Sequence, residues 1–256
     1  MGPEDVIALW ERQQDSYVTH RRLRFETAML ALEAWRPGPE LIVDIGAGPG
    51  SFSRLLLQRF PSARVIAIDH DPSLLRLAEH NLAEFGSRAV IADADLTDPS
   101  WMRAVDADPD AIVSSTALHW LTTGQLMGLL EQLAQVLPAG RLFLNLDHYS
   151  QLAPGSLPEA AAIADATRRR AAADASGVPD WESWWQAFAD AAGAPGLEDL
   201  PELLAERDRR FRALGREEEA RDASPVLHLE GLRTAGFAEA GTLWQHLDDY
   251  IVYGVR

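Results

Sequence analysis

The sequence contains neither lysine nor cysteine among its 256 residues, and all 23 basic residues are arginine. Without lysine, Schiff-base catalysis and the phosphate-binding loops that depend on that side chain are excluded. Without cysteine, disulfides, thiolate nucleophiles, iron–sulfur clusters and cysteine-ligated zinc are excluded as well. Any chemistry must therefore use aspartate, glutamate, histidine, tyrosine, serine, threonine or arginine side chains.

Positive charge is also scarce, since 39 acidic residues against 23 basic ones give a formal net charge of −16. Nucleic acid would be repelled by such a chain, so we expect a small-molecule partner. No apolar run approaches the roughly 20 residues that a membrane-spanning helix needs. A secretory leader begins with basic residues that are followed by an apolar run, whereas this sequence begins with the acidic residues Glu4 and Asp5. We therefore expect a cytoplasmic monomer or homodimer without a membrane partner.

Short apolar runs alternate with amphipathic patterns along the first 150 residues. We predict strands at 41–45, 64–69, 88–93, 110–114 and 140–147, and helices at 52–60, 72–85 and 123–137. Two more amphipathic helices are predicted within residues 4–35. Repeated strand-helix-strand units predict parallel pairing with right-handed crossovers, because parallel neighbours need a long connection. The pattern favours an α/β fold with a Rossmann-like doubly wound sheet.

The rest of the sequence predicts a helical insertion followed by the end of the sheet. From about Gln151 to Ser224 the chain is rich in alanine, arginine, glutamate and tryptophan and has no strand-like run. Asp248 and Asp249 are predicted to join two β-rich stretches in an antiparallel hairpin at one edge of a sheet of about seven strands. We predict the last helix at 226–235 and the two β-rich stretches at 237–246 and 250–255.

The run Asp44-Ile45-Gly46-Ala47-Gly48-Pro49-Gly50 stands where the first predicted strand turns into a helix. Open α/β sheets bind ligands at this place, beyond the carboxyl ends of their strands. One interpretation is a dinucleotide site, in which an acid about 20 residues after the glycines binds the ribose hydroxyls. Asp69 fits this interpretation, and it fits a site for another adenosine-containing ligand equally well.

Three residues of this turn disfavour a dinucleotide. Ser51 stands where the dinucleotide pattern requires glycine or alanine, and Pro49 lacks the amide N–H that a pyrophosphate nest would use. Asp44, two residues before the first glycine, would repel a diphosphate but favour a cationic ligand. Because S-adenosylmethionine carries an ammonium and a sulfonium group, the turn favours that cofactor.

With these residues the chain resembles the class I S-adenosylmethionine-dependent methyltransferases of the small-molecule type. The resemblance covers about residues 5–150 and 226–256, with a helical insertion before the last two strands. Ala139 stands where the family usually has a glycine. The family's motifs match in order at residues 44–50, 65–69 with 71–75, 92–96, 110–121 and 136–141.

We interpret residues 1–256 as a single methyltransferase domain with four parts. In many members of the family the N-terminal helices fold over the cofactor as a lid, and we expect the same here. The parts are an N-terminal helical lid (1–36), a cofactor-binding core (37–150), a helical insertion or cap (151–225), and the final helix with the strand hairpin (226–256).

The resemblance implies S-adenosylmethionine as cofactor and S-adenosylhomocysteine as product. It implies that Asp44 organises the ammonium group, directly or through water, and that Asp69 takes the ribose hydroxyls. Asp93 and Asp95 both follow the third strand, and either is placed to accept from the adenine amino group, with a slight preference for Asp95. Arg21 suits the methionine carboxylate, unless it lies on a solvated helix face. The other predicted cofactor-binding residues are Gly46, Ala47, Gly48, His70, Leu96 and Ser114.

The acceptor is expected beside the segment after the fourth strand, which the family places against the reactive methyl group. His119 on this segment and His148 at the end of the fifth strand are the candidate catalytic bases, with packed structural histidines as the alternative. The acid at Asp147 can raise the basicity of the imidazole beside it. Aromatic residues of the insertion are more typical of a core, although one ring can shape the substrate pocket. The predicted substrate-lining residues are Tyr17, His20, Trp120, Asp147 and Trp185.

The sequence thus predicts methyl transfer to a small-molecule acceptor at oxygen, nitrogen or carbon. No histidines and acids at ligand spacing indicate a metal site. Two alternatives remain open. One is an enzyme that uses the same cofactor for cyclisation or related chemistry, since fold alone does not separate these outcomes. The other is a cofactor-binding subunit that activates another chain.

Overall fold

A computed structural model of the chain describes residues 1–149, 153–213 and 224–256. It begins with the two predicted N-terminal helices, α1 (Pro3–Tyr17) and α2 (Arg21–Trp35). The two are separated by three residues, of which His20 has a left-handed φ of 49°. The turn reverses the chain so that α2 packs against the sheet while α1 lies over its carboxyl edge, beside the glycine turn.

Seven strands form one sheet in the order β3-β2-β1-β4-β5-β7-β6. The first five are parallel, β7 pairs antiparallel with β5, and β6 pairs antiparallel with β7. This order confirms the predicted doubly wound sheet with an antiparallel hairpin at one edge. The strands are β1 (Leu41–Ile45), β2 (Arg64–Asp69), β3 (Ala89–Asp93), β4 (Ala111–Ser115), β5 (Leu142–His148), β6 (Glu239–His246) and β7 (Asp249–Val255).

Helices cover both faces of the sheet, because alternate side chains of a strand point to opposite sides. Val43 and Ile45 of β1 pack in a core with α5 and α9, whereas Ile42 packs in a second core with α2 and α3. All five residues of β1 are buried, which accounts for its continuous apolar run. The helices after α2 are α3 (Ser51–Arg59), α4 (Pro72–Leu82), α5 (Thr123–Val136), α6 (Leu157–Ala175), α7 (Trp181–Ala189), α8 (Leu200–Ala213) and α9 (Pro225–Thr234).

The insertion packs its described helices onto α1 and α4. Trp184 and Phe188 of α7 are fully buried in a third apolar cluster with Trp10 of α1 and Leu77 of α4. Trp184 is therefore a core residue, in line with the prediction that aromatic residues of the insertion are more typical of a core. Part of the predicted insertion, residues 151–152 and 214–223, lies outside the described residues. In the part of the chain that the structure describes, no helix is long and apolar enough to cross a bilayer.

The hairpin departs from the prediction at its turn. Only Leu247 and Asp248 connect the strands, since His246 already pairs with Asp249. Asp249 is the first residue of β7 and is buried beside Arg24 of α2, so its assignment to the connection was wrong. Arg24, 225 positions away in the chain, compensates the buried carboxylate, so Asp249 is accommodated inside the sheet.

Candidate functional site

A cavity of about 810 Å³ opens at the carboxyl ends of the parallel strands. Its floor is the glycine turn and the segments after β2, β3 and β4. Its walls come from α1, α7, α8 and the hairpin turn. The volume is in the range of pockets that hold small molecules, and the position is the one at which open α/β sheets bind ligands.

The glycine turn lines the cavity and needs glycine at its first position. Gly46 has a φ of 67°, and a Cβ atom there would lie 2.3 Å from the Cβ of Ala117, in the segment after β4. The amide of Gly46 donates to the carbonyl of Ile68. The turn therefore lies in direct contact with the ends of β2 and β4, and its backbone faces the cavity without a side chain in between.

Ser51, which replaces a glycine of the dinucleotide pattern, contacts α1. Its Oγ accepts a hydrogen bond of 3.1 Å from Nε1 of Trp10 and donates to the carboxylate of Glu11. These contacts hold α1 against the glycine turn at the mouth of the cavity. The departure from the dinucleotide pattern thus has a structural role in placing the N-terminal helix.

Asp44 is 1% exposed and lines the cavity at the end of β1. Its Oδ2 accepts a hydrogen bond of 2.6 Å from the hydroxyl of Ser53. Burial raises the pKa of Asp44 to about 7, although the hydrogen bonds from Ser53 oppose the shift. Among the described residues Asp44 has no cationic partner, and a positively charged ligand would stabilise such a buried carboxylate.

Asp69 ends β2 and accepts three backbone hydrogen bonds. The amide of Gly48 donates to Oδ2 at 2.7 Å, and the amides of His70 and Asp71 donate to Oδ1. Burial raises the pKa of Asp69. Its carboxylate links the glycine turn to the end of β2 and lines the cavity. The ring of His70 also lines the cavity and lies 5.0 Å from the ring of Phe211 on α8.

The two aspartates that follow β3 have different surroundings. Asp93 is bound by Nη1 and Nη2 of Arg210 at 2.6 and 2.9 Å, and it does not line the cavity. Asp95 lines the cavity together with Leu96. Its Oδ1 accepts from both the amide and the hydroxyl of Thr97, which leaves Oδ2 for a ligand. The position of Asp93 therefore does not fit the cofactor role proposed for it, and the preference for Asp95 remains.

His119, Asp147 and His148 form a polar cluster beside the cavity. Nδ1 of His119 lies 2.7 Å from Oδ1 of Asp147, and the backbone amide of His119 donates to Oδ2 at 3.0 Å. The amide of His148 also donates to Oδ1, and the two imidazole rings lie 4.3 Å apart. Both histidines line the cavity, whereas Asp147 lies behind them and is 1% exposed.

Asp147 stays ionised because of its neighbours. Burial by itself raises the pKa of this carboxyl, but His119, His148 and Arg24 outweigh burial and hold the pKa well below its usual range. An ionised Asp147 places the proton of His119 on Nδ1, so that Nε2 is the nitrogen that can accept a proton. Asp147 was predicted to line the substrate pocket, but it orients His119 instead.

The ligand atoms of these three residues lie within 4.8 Å of one another, as in sites that hold a metal ion. Sequence spacing did not reveal this group, since 28 positions separate His119 from Asp147. The oxygens of Asp147 already accept three N–H groups, so a metal ion would have to displace the contact with Nδ1 of His119. The absence of a metal stays a prediction.

Besides Asp93 and Asp147, two more predicted site residues lie outside the cavity lining. Ser114 is fully buried, and its Oγ donates to the carbonyl of Ile45, so the next residue, Ser115, reaches the cavity in its place. The ring of His20 packs on Trp244 and His246 of β6. The roles assigned to Ser114 and His20 do not fit these positions. Tyr17, Trp120, Trp185 and Arg21 do line the cavity.

Arg21 is engaged by protein carboxylates. Its Nη1 lies 2.6 Å from Glu11 and 2.9 Å from Asp15, and its guanidinium group stands over the ring of Phe25. The side chain is 7% exposed. It is therefore part of the cavity wall rather than of a solvated face, and only its other N–H groups remain for a ligand.

Arg207 of α8 lines the cavity although the sequence did not indicate it. Its guanidinium carbon lies 4.0 Å from the ring centre of Trp185 and 4.7 Å from that of Phe211. Nε donates to Oδ2 of Asp71 at 2.8 Å, next to Asp69. This stack closes the side of the cavity near the end of β2. A single arginine in an arginine-rich helix carries no sequence signal for such a role.

Comparisons with known proteins agree with the geometry of this site. A family model described as "Methyltransferase domain" matches residues 42–140. The trans-aconitate 2-methyltransferase of Delftia acidovorans is 30% identical over 225 residues, which cover 68% of this chain and 81% of that protein. The enzyme of the same name from Variovorax paradoxus is 34% identical over 87 residues, but the match spans only 33% of this chain and 31% of that protein.

Among solved structures, magnesium protoporphyrin IX methyltransferase from Synechocystis, with bound S-adenosylhomocysteine, has a TM-score of 0.58 at 15% identity. The match covers 98% of this chain and 94% of that one, and it shows the shared fold. The sheet order, the cavity at its carboxyl edge and the similarity over most of a curated relative lead to one conclusion. The chain belongs to the class I S-adenosylmethionine-dependent methyltransferase family.

Proposed function

We propose that this methyltransferase methylates an O–H or N–H group of a small molecule, with His119 as the general base. The contact of 2.7 Å between Nδ1 of His119 and Oδ1 of Asp147 carries this proposal. This contact occupies Nδ1 and leaves Nε2 as the basic nitrogen of His119, a residue that lines the cavity. A histidine oriented by a buried carboxylate is a recurring arrangement for proton removal.

The residues around the cavity fit the cofactor. Asp44 is a buried carboxylate suited to the ammonium group, and the backbone from Gly46 to Gly48 leaves room for the methionine part. Asp69 would accept from the ribose hydroxyls, and Oδ2 of Asp95 from the adenine amino group. When bound, S-adenosylmethionine supplies an electrophilic methyl group on a sulfonium, beside the segment that carries His119.

The chain's own part in the reaction is to position the acceptor and remove its proton. As the acceptor oxygen or nitrogen forms its bond to the methyl carbon, its proton passes to Nε2 of His119, and the sulfur keeps the electron pair of the broken bond. Asp147 stabilises the imidazolium cation that results. His148, next to this pair, lines the acceptor end of the cavity.

We further propose that helices on both sides act as a lid and a cap. Glu11 and Trp10 hold α1 to the glycine turn, and Arg207 holds α8 to the end of β2. Closure over both ligands would exclude water from the reacting atoms. With a net charge of −16 the acceptor is a small molecule rather than nucleic acid, and we propose that the enzyme acts in the cytoplasm as a monomer or homodimer.

Methylation of a carboxylate is the second candidate, because trans-aconitate, named in the relatives, is a tricarboxylic acid. A carboxylate is already ionised at neutral pH and needs no base. The paired His119 and Asp147 would then have no catalytic task, so we place this candidate second. The cavity also has volume for an acceptor beside the histidines, which speaks against a subunit that only binds the cofactor.

The experiment measures cofactor binding first and turnover second. Calorimetry of the purified protein with S-adenosylhomocysteine should show one saturable site, and no heat at high concentration would refute the proposed function. Release of S-adenosylhomocysteine from S-adenosylmethionine is then followed with panels of phenols, amines and carboxylic acids. Mass analysis of the products distinguishes methylation from other uses of the cofactor. Turnover of carboxylic acids alone would overturn the role of His119.

A further inference from the structure

The charges that line the cavity are unbalanced. Within the described residues, twice as many carboxylates as guanidinium groups reach its surface. A cavity lined mainly by charges of one sign, with walls of low dielectric constant, has a stronger electrostatic potential than an exposed surface. The lining charged residues are Asp44, Asp69, Asp71, Asp95, Asp248 and Asp249, against Arg21, Arg169 and Arg207.

All three arginines are already paired with protein carboxylates, at nitrogen-to-oxygen distances of 2.6–2.9 Å. The pairs are Arg21 with Glu11 and Asp15, Arg169 with Asp165, and Arg207 with Asp71. An anionic acceptor could reach only the N–H groups that these pairs leave over, on guanidinium groups whose charge a protein carboxylate already compensates, so it would gain little from them. The described walls are therefore poorly suited to a polycarboxylate.

The aspartates divide into those with an assigned partner and one without. Asp71 and Asp249 are paired with Arg207 and Arg24. The proposed function assigns Asp44, Asp69 and Asp95 to the cofactor. Asp248 remains, and it has no ion pair within residues 1–149, 153–213 and 224–256.

Asp248 lies at the acceptor end of the cavity. It forms the hairpin turn next to Asp249, which is directly opposite His148 in the pairing of β5 with β7. The amide of Tyr149 donates to the carbonyl of Asp248 at 2.8 Å, which fixes the turn against the end of β5. A carboxylate is thus held on the wall beside the histidine cluster.

We propose that the acceptor is a cationic amine whose ammonium group binds Asp248 while the group to be methylated faces His119. This inference rests on the proposed function and adds the substrate class. The rings of Trp120, Trp181 and Tyr17 line the same cavity, and aromatic faces also attract cations. The acceptor class differs in charge from the tricarboxylate named in the relatives.

The test compares amines with carboxylates of matched shape on the protein saturated with S-adenosylhomocysteine. The pairs are tyramine with 3-(4-hydroxyphenyl)propionate, dopamine with 3-(3,4-dihydroxyphenyl)propionate, and tryptamine with indole-3-propionate. Calorimetry should show the amine to bind about ten-fold tighter than its partner in at least one pair, a difference of about 1.4 kcal/mol. Tighter binding of the carboxylates, or no preference in any pair, overturns the proposal.

Asp248→Asn removes the carboxylate while it keeps the size of the side chain. The variant should lose the preference for the amine and bind S-adenosylhomocysteine as the unaltered protein does. Asp108→Asn is the matched control. Asp108 is exposed and precedes the amino end of β4, whereas the cavity lies at the carboxyl ends of the parallel strands. If Asp108→Asn changes the preference as much as Asp248→Asn, the effect belongs to net charge and the proposal fails.

The outcomes keep the two proposals apart. Failure of S-adenosylhomocysteine to bind would refute the proposed function itself. If S-adenosylhomocysteine binds but amines are not preferred, only the inference about Asp248 is overturned. Methylation of trans-aconitate in preference to every amine would overturn it as well.

Discussion

Arg24 of α2 and Asp249 of β7 form an ion pair of 2.9 Å, with side chains 1% and 7% exposed. The pair joins residues 225 positions apart and fixes the first residue of β7, next to the turn that carries Asp248. Burial of two charges is costly unless each compensates the other. Helix α2 thus helps to determine where the hairpin turn stands relative to the cavity.

We predict that Arg24→Met destabilises the protein by about 3–5 kcal/mol, because it leaves the carboxylate of Asp249 buried without a partner. Urea unfolding followed by circular dichroism gives the free energy of unfolding. The double variant Arg24→Met with Asp249→Leu should recover most of the loss. A double variant as unstable as the single one would show that packing rather than charge compensation is lost.

Asp44 should make cofactor binding depend on pH. With its pKa raised to about 7 by burial, the carboxyl is largely protonated at pH 6 and largely ionised at pH 8. The affinity for S-adenosylhomocysteine should therefore rise about ten-fold over this range, since only the ionised form attracts the ammonium group. Calorimetry at both pH values measures it. In Asp44→Asn the affinity should be lower and the dependence flat, and an unchanged slope would contradict the assignment.

The same residue should affect stability in the opposite direction. Because the folded pKa of Asp44 lies above the unfolded value of 3.8, the folded protein binds this proton more tightly. The resulting stabilisation is complete below about pH 4 and is lost as the pH rises through about 7. Without ligand, Asp44→Asn should therefore be more stable than the unaltered protein at pH 8, by at most about 4 kcal/mol, and should gain little at pH 4. Thermal unfolding at the two pH values tests this difference.

His119→Gln should lower kcat by about 10²–10⁴-fold with the acceptor that the panels identify, because proton removal is lost. Asp147→Asn should lower kcat similarly, since the histidine proton is no longer held on Nδ1. The affinity for S-adenosylhomocysteine should stay within about three-fold in both. Steady-state kinetics and calorimetry measure the two effects.

A pH profile separates loss of the base from a structural defect. In His119→Gln the rate should rise steadily with pH, because the acceptor must then ionise unaided, whereas a misfolded site would be slow at every pH. His80→Gln is the control, since His80 contacts the carbonyl of Gly196 and does not line the cavity. Full activity of His119→Gln would rule out the base.

Asp93 and Asp95 allow a matched comparison at the adenine end. Asp95→Ala should weaken S-adenosylhomocysteine binding by about 1–2 kcal/mol, the cost of losing one hydrogen bond to a charged group. Asp93→Ala should change it little, because its partner Arg210 forms a partly exposed ion pair outside the cavity lining. The reverse order of effects would assign the adenine contact to Asp93.

Gly46→Ala should abolish cofactor binding and also destabilise the turn against the ends of β2 and β4. The added methyl group would stand 2.3 Å from Ala117, at a φ that only glycine adopts readily. Gly38→Ala is the control, since Gly38 also has a positive φ but open space around it. Equal losses of binding in both variants would show a general effect of backbone strain.

The sequence by itself determined the sheet, the glycine turn and the class of cofactor. Apolar runs of β-strand length and helical periodicity are local patterns, and the turn from Asp44 to Gly50 is contiguous in the chain. Their meaning therefore does not depend on distant residues. The same locality explains why Asp95 and His119, each a few residues after the end of a strand, were predicted at the edge of the sheet where the cavity lies.

Only the tertiary structure decided how the side chains at that edge are paired. Asp147 orients His119 from 28 positions away, and Arg24 draws Asp249 out of the predicted turn into a strand. Asp93 follows its strand as Asp95 does, yet Arg210 of a distant helix binds it. A charge is compensated by whichever group the fold brings within a few ångströms, and sequence distance carries no information about that neighbour.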